Sequence, residues 1–183
     1  MRTPLIFLTT LLTLTNCDYK TDNKTVSIKE RLVDCTPYFI YDQIDHYTTE
    51  IDEPEVWDIQ AKTKISEKEK RQLALLTWET PKSLSDTVAL KDIEDLDFKK
   101  IEIHSNKFKQ INDIFCERKH KNSVSTTCIP IYRDILVFKK DNKTMGVAKI
   151  CFSCNQSQII GTELNSEDFG QSGDYEKLSK LLH

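Results

Sequence analysis

The sequence predicts an α+β domain in which one antiparallel sheet, including a hairpin over residues 131–153, is packed by two or three helices. Three observations favour this class. Two neighbouring β-rich runs flank a short polar turn, and other segments carry apolar residues at helical spacing. Strands and helices are also mixed along the chain without the repeated strand–helix–strand units of a parallel sheet.

The composition describes a polar chain rather than a membrane bundle. Its 183 residues are 38% apolar and 30% charged, with a net charge of −3. The apolar share is below the usual range of about 45–50%. Acidic and basic residues are interspersed, so no basic face is available for nucleic acid, and we expect no nucleic-acid partner.

The N-terminal segment predicts export. Arg2 precedes an apolar run of about twelve residues, whereas a membrane-spanning helix needs roughly twenty. Residues 1–16 are therefore interpreted as a signal peptide. Such a signal peptide can belong to a lipoprotein, or it can be a plain secretory signal that is followed by an incidental cysteine.

The end of this segment, Leu14-Thr15-Asn16-Cys17, resembles the lipobox of bacterial lipoproteins. In that family the cysteine is lipid-modified and becomes the mature N-terminus. The resemblance implies lipid attachment at Cys17, with palmitate as an acyl chain, and a membrane-anchored location in the bacterial cell envelope. Whether the inner or the outer membrane holds the protein is left open.

The remaining chain divides into a spacer and one domain. Residues 17–30 are polar and aperiodic, which is typical of a flexible tether. Residues 31–183 are predicted to form the single α+β domain.

The first half of that domain is predicted to contain two strands and one helix. Residues 38–51 are rich in aromatic and β-branched side chains and predict a strand. An acidic run from Glu50 to Glu55 follows, for which a solvated turn is expected. Ser66 and Glu69 have the spacing of a capping box before a helix over 67–78, and residues 99–104 alternate as a short strand does.

The second half is predicted to contain two helices around the hairpin. Ser105 is expected to cap a helix, and Asp174 is expected to cap the last one. The apolar stripe of the first is Phe108, Ile111, Ile114 and Phe115, and that of the second is Tyr175, Leu178, Leu181 and Leu182. Between them, residues 131–139 and 145–153 form the hairpin strands about a turn at 141–144.

Five cysteines remain when Cys17 is assigned to the lipid, so an exported domain is left with one unpaired thiol. A hairpin turn centred near Asn142 places Cys154 close to Cys128. A disulfide between these two is the preferred structure. Cys35 and Cys116 are not assigned to this group.

Three alternatives stay open for the C-x-x-C of Cys151 and Cys154. They are a zinc site formed with Cys128 and either Cys116 or a histidine, thiol–disulfide catalysis, and unpaired packing cysteines. In an extended strand the two Cα atoms are about 10 Å apart. Cys151 and Cys154 can therefore bond each other only if the strand breaks into a turn between them.

The segment from Cys128 to Phe138, followed by Ile150-Cys-Phe-Ser-Cys154, resembles a pattern in small uncharacterised lipoproteins of Bacteroidetes-type bacteria. Those proteins share a hairpin that ends in cysteine and has a C-F-x-C second strand. The resemblance covers about 60 residues, from Cys128 to the C-terminal helix. It implies that Cys128, Arg133, Cys151 and Cys154 form one locus, and it implies no activity.

Arg133 interrupts an apolar strand, and the hairpin register places it beside Cys151. There a guanidinium can bind an anion or stabilise a thiolate, although an ordinary ion pair with a neighbouring carboxylate is the simpler interpretation. The histidines at 46, 104, 120 and 183 are scattered and are expected to be surface or packing residues, so no metal site is predicted. The four glycines form no phosphate-binding loop, and no cofactor is predicted.

These observations favour a lipid-anchored cell-envelope protein that is a non-enzymatic binding module. Its partners are then the membrane, through the lipid at Cys17, and a protein of the envelope. The alternative function is a thiol-redox or metal-binding protein that uses Cys128, Cys151 and Cys154.

Overall fold

Two antiparallel sheets occur in the computed structural model, which describes residues 35–120 and 127–183. The strands are β1 (Thr36–Pro37), β2 (Gln43–Thr48), β3 (Lys99–Glu102), β4 (Cys116–Glu117), β5 (Asp134–Lys140), β6 (Lys143–Cys151) and β7 (Gln156–Ile160). Five of them form the main sheet in the order β3-β2-β5-β6-β7, and β1 pairs with β4 in a small second sheet. The predicted α+β class is confirmed, whereas the second sheet was not predicted.

The hairpin of β5 and β6 has the predicted register. Asp134 pairs with Ile150 and Phe138 pairs with Gly146, before a bulge shifts the pairing near the turn. Asp141 and Asn142 form the turn with φ values of 49° and 61°. Two consecutive positive φ values are what a two-residue hairpin turn of type I′ requires, and Asp and Asn tolerate them. The predicted four-residue turn was therefore too long.

Two extended segments differ from the prediction. The strand expected over residues 38–51 is confined to β2, and β7 was not predicted at all. The segment of β7 contains Gln156, Ser157 and Gln158, and such polar residues give a weak strand signal. Pairing with β6 supplies the hydrogen bonds that make it a strand.

Four α-helices occur in the described ranges, together with three short 3-10 helices. They are α1 (Glu53–Ala61), α2 (Glu67–Leu76), α3 (Phe108–Ile114) and α4 (Asp174–Leu182). The solvated turn expected between Glu50 and Glu55 is wrong, because a helix begins there. Asp52 accepts a hydrogen bond from the Glu55 backbone N–H, and the Glu55 carboxylate accepts one from the Asp52 N–H, both at 2.9 Å. This reciprocal capping box fixes the start of α1.

The other helix starts are confirmed in one case and wrong in two. Ser66 and Glu69 form the predicted box at α2. Ser105 opens a 3-10 helix, and no side-chain hydrogen bond caps α3. The cap of α4 is Gly173, at a φ of 72°. Asp174 is instead the first helical residue, and its carboxylate binds Arg118 at 3.0 Å.

Helices cover both faces of the main sheet, giving three layers. One face packs on α3 and α4 through a cluster that includes Ile111 and Leu178. The other face packs on α1, α2 and the segment around Leu96. Because side chains alternate along β5, Leu136 enters the first cluster and Ile135 enters the second.

The described residues, 35–120 and 127–183, belong to one compact unit. Within the described part of this unit, no helix combines the length and the apolar character needed to cross a membrane.

Candidate functional site

The candidate site lies at the end of the main sheet that is remote from the β5–β6 turn, and we call it the hairpin-end site. It comprises Cys128, Arg133, Cys151, Ser153 and Cys154. The β5–β6 ladder ends at Asp134 and Ile150, so Arg133 lies just outside β5. Its carbonyl accepts a hydrogen bond from the Thr49 N–H at 3.1 Å instead of pairing with β6.

Cys128 and Cys154 form a disulfide with their Cα atoms 5.7 Å apart. The Gln156 side-chain amide donates to the Cys128 carbonyl at 2.6 Å, which fastens the same segment to the start of β7. The bridge therefore ties the chain that enters β5 to the turn that leaves β6.

Cys35 and Cys116 form a second disulfide, with a Cα separation of 5.6 Å. Treating them as unrelated to the disulfide framework was wrong. Cys116 pairs with Pro37 in the small sheet, and this pairing brings Cys35 within bonding range. Because its sulfur is bonded to Cys35, Cys116 is not available as a ligand of the zinc site considered for the C-x-x-C.

Cys151 is the unpaired cysteine of the described residues, and only 1% of it is exposed. Its sulfur lies 3.4 Å from the Ser153 hydroxyl oxygen, and the residue packs in one small cluster with Tyr132 and Cys154. The β5–β6 register, continued by one residue beyond Asp134 and Ile150, places Arg133 opposite Cys151 as predicted. No hydrogen bond joins the two side chains among the described residues, and Arg133 lines a pocket that Cys151 does not line.

That pocket has a volume of about 250 Å³. It lies between the start of α1 and the disulfide-bonded segment. Its lining residues are Asp52, Glu53, Pro54, Ile129, Ile131, Arg133, Ser153 and Cys154. Within residues 35–120 and 127–183, no hydrogen bond or ion pair engages the Arg133 guanidinium, so the ordinary ion pair expected for it is absent there.

The two carboxylates of the pocket are already partly occupied. Asp52 caps α1, and Glu53 accepts a hydrogen bond from the Trp57 indole N–H at 3.2 Å. The pocket thus presents one free guanidinium close to two carboxylates that each keep one oxygen available. Such an arrangement suits a small polar group that carries a carboxylate beside a hydrogen-bond donor.

A second polar locus, which the sequence did not reveal, surrounds Lys149. This side chain is fully buried, and its ammonium donates to the carbonyls of Thr77 and Thr80, the latter at 2.7 Å. Its Nζ also lies 4.8 Å from the centre of the Tyr132 ring. Burial lowers the pKa of Lys149 to about 7. A single lysine inside a strand looks like a solvent-facing residue, so no pattern marked it.

Two histidines expected at the surface or in packing are brought together by Asp134. His46 Nε2 lies 2.8 Å from Asp134 Oδ1, and His183 Nε2 lies 3.3 Å from the same oxygen. His46 is fully buried, whereas about half of the His183 side chain is exposed. The two residues are far apart in sequence, so their contact required the fold.

The described residues contain no group of three or more His, Cys, Asp or Glu side chains placed to hold a metal ion. Cys128 and Cys154 are bonded to each other, so their sulfurs are not available to bind zinc as the alternative interpretation requires. Neither the protein families, nor the curated proteins, nor the solved structures include a match to this chain.

Proposed function

We propose that the protein is an exported, lipid-anchored component of the bacterial cell envelope whose domain is a non-enzymatic binding module. The lipid attachment site, Cys17, and the signal segment lie outside the described residues. What supports export is the cysteine framework, because structural disulfides persist in oxidising compartments such as the periplasm and the cell surface. Four of the five described cysteines are paired in this way. The resemblance of residues 14–17 to a lipobox supports the anchor.

The observation that carries the binding role is the unengaged guanidinium of Arg133. A partly buried arginine normally has an acceptor, because its planar group offers five donors. Here Arg133 lines a pocket of about 250 Å³, and no described residue accepts a hydrogen bond from its guanidinium. A carboxylate, from a ligand or from a partner side chain, would supply the hydrogen-bond acceptor that the guanidinium lacks. The negative charges of Asp52 and Glu53 favour a ligand that also carries an ammonium or amide.

The anchor is tested by acyl labelling in a bacterium that processes lipoproteins. Cells fed radiolabelled palmitate should label the protein and retain it in the membrane fraction. Cys17→Ser should lose both properties, whereas the control Cys151→Ser should keep them because it removes a different thiol. Label retained by Cys17→Ser, or no label on the unaltered protein, overturns the lipid anchor.

The binding site is tested by titration of the folded domain with acetate, inorganic phosphate and glycine. The side-chain NMR signal of Arg133 should shift in a saturable way with glycine and less with phosphate. Arg133→Gln should abolish binding, whereas Arg71→Gln should retain it, since Arg71 donates instead to the Lys91 carbonyl on another surface. Equal responses at Arg71 and Arg133, or no saturable response, would remove Arg133 from the proposal.

The alternative thiol-active function has one specific observation in its favour: the unpaired Cys151 and the bonded Cys154 belong to the same small buried cluster. This property of the cysteines does not depend on the anchor or on Arg133.

A further inference from the structure

Three cysteines share the hairpin-end site, and they differ in exposure. Cys128 is exposed, while Cys151 and Cys154 are 1% and 5% exposed. The free thiol of Cys151 therefore lies inside the protein, next to a disulfide whose other end reaches the surface. The Cys35–Cys116 bridge belongs to the other sheet and takes no part in this cluster.

The backbone around the C-x-x-C allows two different bridges. β6 ends at Cys151, residues 152–155 form a turn, and Cys151 then pairs with Gln156 at the start of β7. Asn155 closes the turn at a φ of 50°. Cys154 lies within this turn, so it is not three residues along an extended strand from Cys151, where the Cα separation of about 10 Å would exceed the limit of about 7 Å for a disulfide. The break in the strand that a Cys151–Cys154 bond requires is thus present.

We propose that the protein carries out an internal thiol–disulfide exchange that converts Cys128 into a surface thiol. The Cys151 thiolate attacks the sulfur of Cys154, a Cys151–Cys154 bond forms, and the Cys128–Cys154 bond breaks. The proton that Cys151 gives up passes to solvent, and the Cys128 thiolate that leaves takes one from solvent. One disulfide and one thiol are present before and after, so the step needs no oxidant or reductant.

Two neighbouring groups can support the attacking thiolate. The Ser153 hydroxyl is 3.4 Å from the Cys151 sulfur and can donate to it. The Tyr132 hydroxyl is buried and has no hydrogen-bond partner in the described residues. Burial raises the pKa of Tyr132, and the nearby Cys151 sulfur raises it further. The phenol therefore keeps its proton and remains a donor.

The consequence is a modification site at Cys128. Before exchange, the reactive thiol is shielded from reagents. After exchange, the exposed thiol can form a mixed disulfide with a small disulfide or with a thiol protein that carries an oxidised cysteine. Cys151 would then act as the internal attacking group and Cys128 as the site of modification.

The exchange is tested by alkylation of the folded, unreduced full-length protein with N-ethylmaleimide, followed by peptide mapping. Trypsin releases Cys128 in the peptide that ends at Arg133, separate from the peptide that holds Cys151 and Cys154. We expect maleimide on Cys128 together with an internal bond between Cys151 and Cys154. This fraction should rise several-fold from pH 7 to pH 9, because the thiolate is the attacking species.

Two variants make the result decisive. Cys151→Ser should leave Cys128 bonded to Cys154 and unlabelled, with an unchanged circular dichroism spectrum. Cys128→Ser should form the Cys151–Cys154 bond during oxidative folding. Cys35 and Cys116 serve as the internal control and should remain unlabelled throughout.

Maleimide found on Cys151 alone, or a native Cys128→Ser protein in which both Cys151 and Cys154 can be alkylated after oxidation, overturns the exchange. Both outcomes leave the acyl labelling at Cys17 and the titration of Arg133 unaffected, so the two proposals can fail separately.

Discussion

The imidazole of His46 and the carboxylate of Asp134 meet inside the protein, with His46 Nε2 2.8 Å from Asp134 Oδ1. The residues stand on the adjacent strands β2 and β5, two positions apart in register. The other ring nitrogen of His46 is buried and has no partner among the described residues. The contact with Asp134 is therefore what compensates the burial of the imidazole, since an unpaired buried polar group is costly.

Asp134→Ala should destabilise the domain by about 2–3 kcal/mol, because it leaves both nitrogens of a buried imidazole unpaired. Asp134→Asn, which keeps an oxygen acceptor, should cost less. Urea unfolding followed by circular dichroism measures the difference. The control is His183→Ala, whose half-exposed side chain contacts the same carboxylate at 3.3 Å. It should cost under about 1 kcal/mol, and a larger loss there than in Asp134→Ala would contradict the role of His46.

The parts of the fold that were predicted are those encoded by neighbouring residues. The hairpin register follows from strand alternation around Asp141 and Asn142, and the α2 box follows from Ser66 and Glu69. The start of α1 had the same kind of signal in Asp52 and Glu55, but the density of acidic residues favoured a solvated turn. β7 was missed because its stability comes from pairing with β6 rather than from its own residues.

In the candidate site, too, contacts between residues close in sequence could be predicted and contacts between distant segments could not. Cys128 and Cys154 can be paired from sequence because one hairpin holds both. Cys35 and Cys116 are separated by 81 residues, and only the pairing of β1 with β4 brings them together. The contact of His46 with Asp134 spans 88 residues and depends on β2 lying beside β5. Local pattern carries no information on such neighbours.

Gly146 should tolerate no larger residue, because the Phe39 ring occupies the space where its side chain would be. A Cβ built there overlaps three atoms of that ring. Gly146→Ala should therefore cost about 1–3 kcal/mol in urea unfolding, as overpacking of a core does. Gly173→Ala is the comparison, since nothing lies within 4 Å of its Cβ and only the positive φ opposes it.

A double-mutant cycle isolates the contact between the Phe39 ring and a side chain at position 146. Phe39→Leu makes room at Gly146, so Gly146→Ala should cost less in that background than in the unaltered protein. Equal costs in the two backgrounds would show that the ring is not the obstacle.

The two disulfides should contribute unequally to stability. Their cysteines are 81 and 26 residues apart in sequence. In the chain-entropy view, the longer loop restrains the unfolded chain more, by about 1 kcal/mol. The double variant Cys35→Ser with Cys116→Ser should thus lose about 2–5 kcal/mol, and the double variant Cys128→Ser with Cys154→Ser somewhat less. Thermal unfolding of the two variants compares them, and the reverse order would contradict the loop argument.

Lys149 should make the domain more stable as pH rises above neutrality. Burial lowers its pKa from 10.5 to about 7, so between these values the unfolded chain binds a proton that the native protein does not. Stability increases with pH wherever the unfolded state binds more protons. This gain in stability with pH ends near pH 10. Burial raises the pKa of Tyr38 and of Tyr175 from 10.0 to about 12, so above pH 10 these tyrosines ionise more readily in the unfolded chain and favour unfolding.

The pH effect is measured as the difference between the unaltered protein and Lys149→Met in urea unfolding at intervals from pH 6 to pH 9.5. The unaltered protein should gain about 1–3 kcal/mol relative to Lys149→Met between pH 7 and pH 9.5, since one unit of pKa difference corresponds to about 1.4 kcal/mol. Lys143→Met, which removes an exposed lysine from the same strand, should show no such trend. A difference that stays constant across this range would mean that Lys149 is charged in the native protein, held by the carbonyls of Thr77 and Thr80.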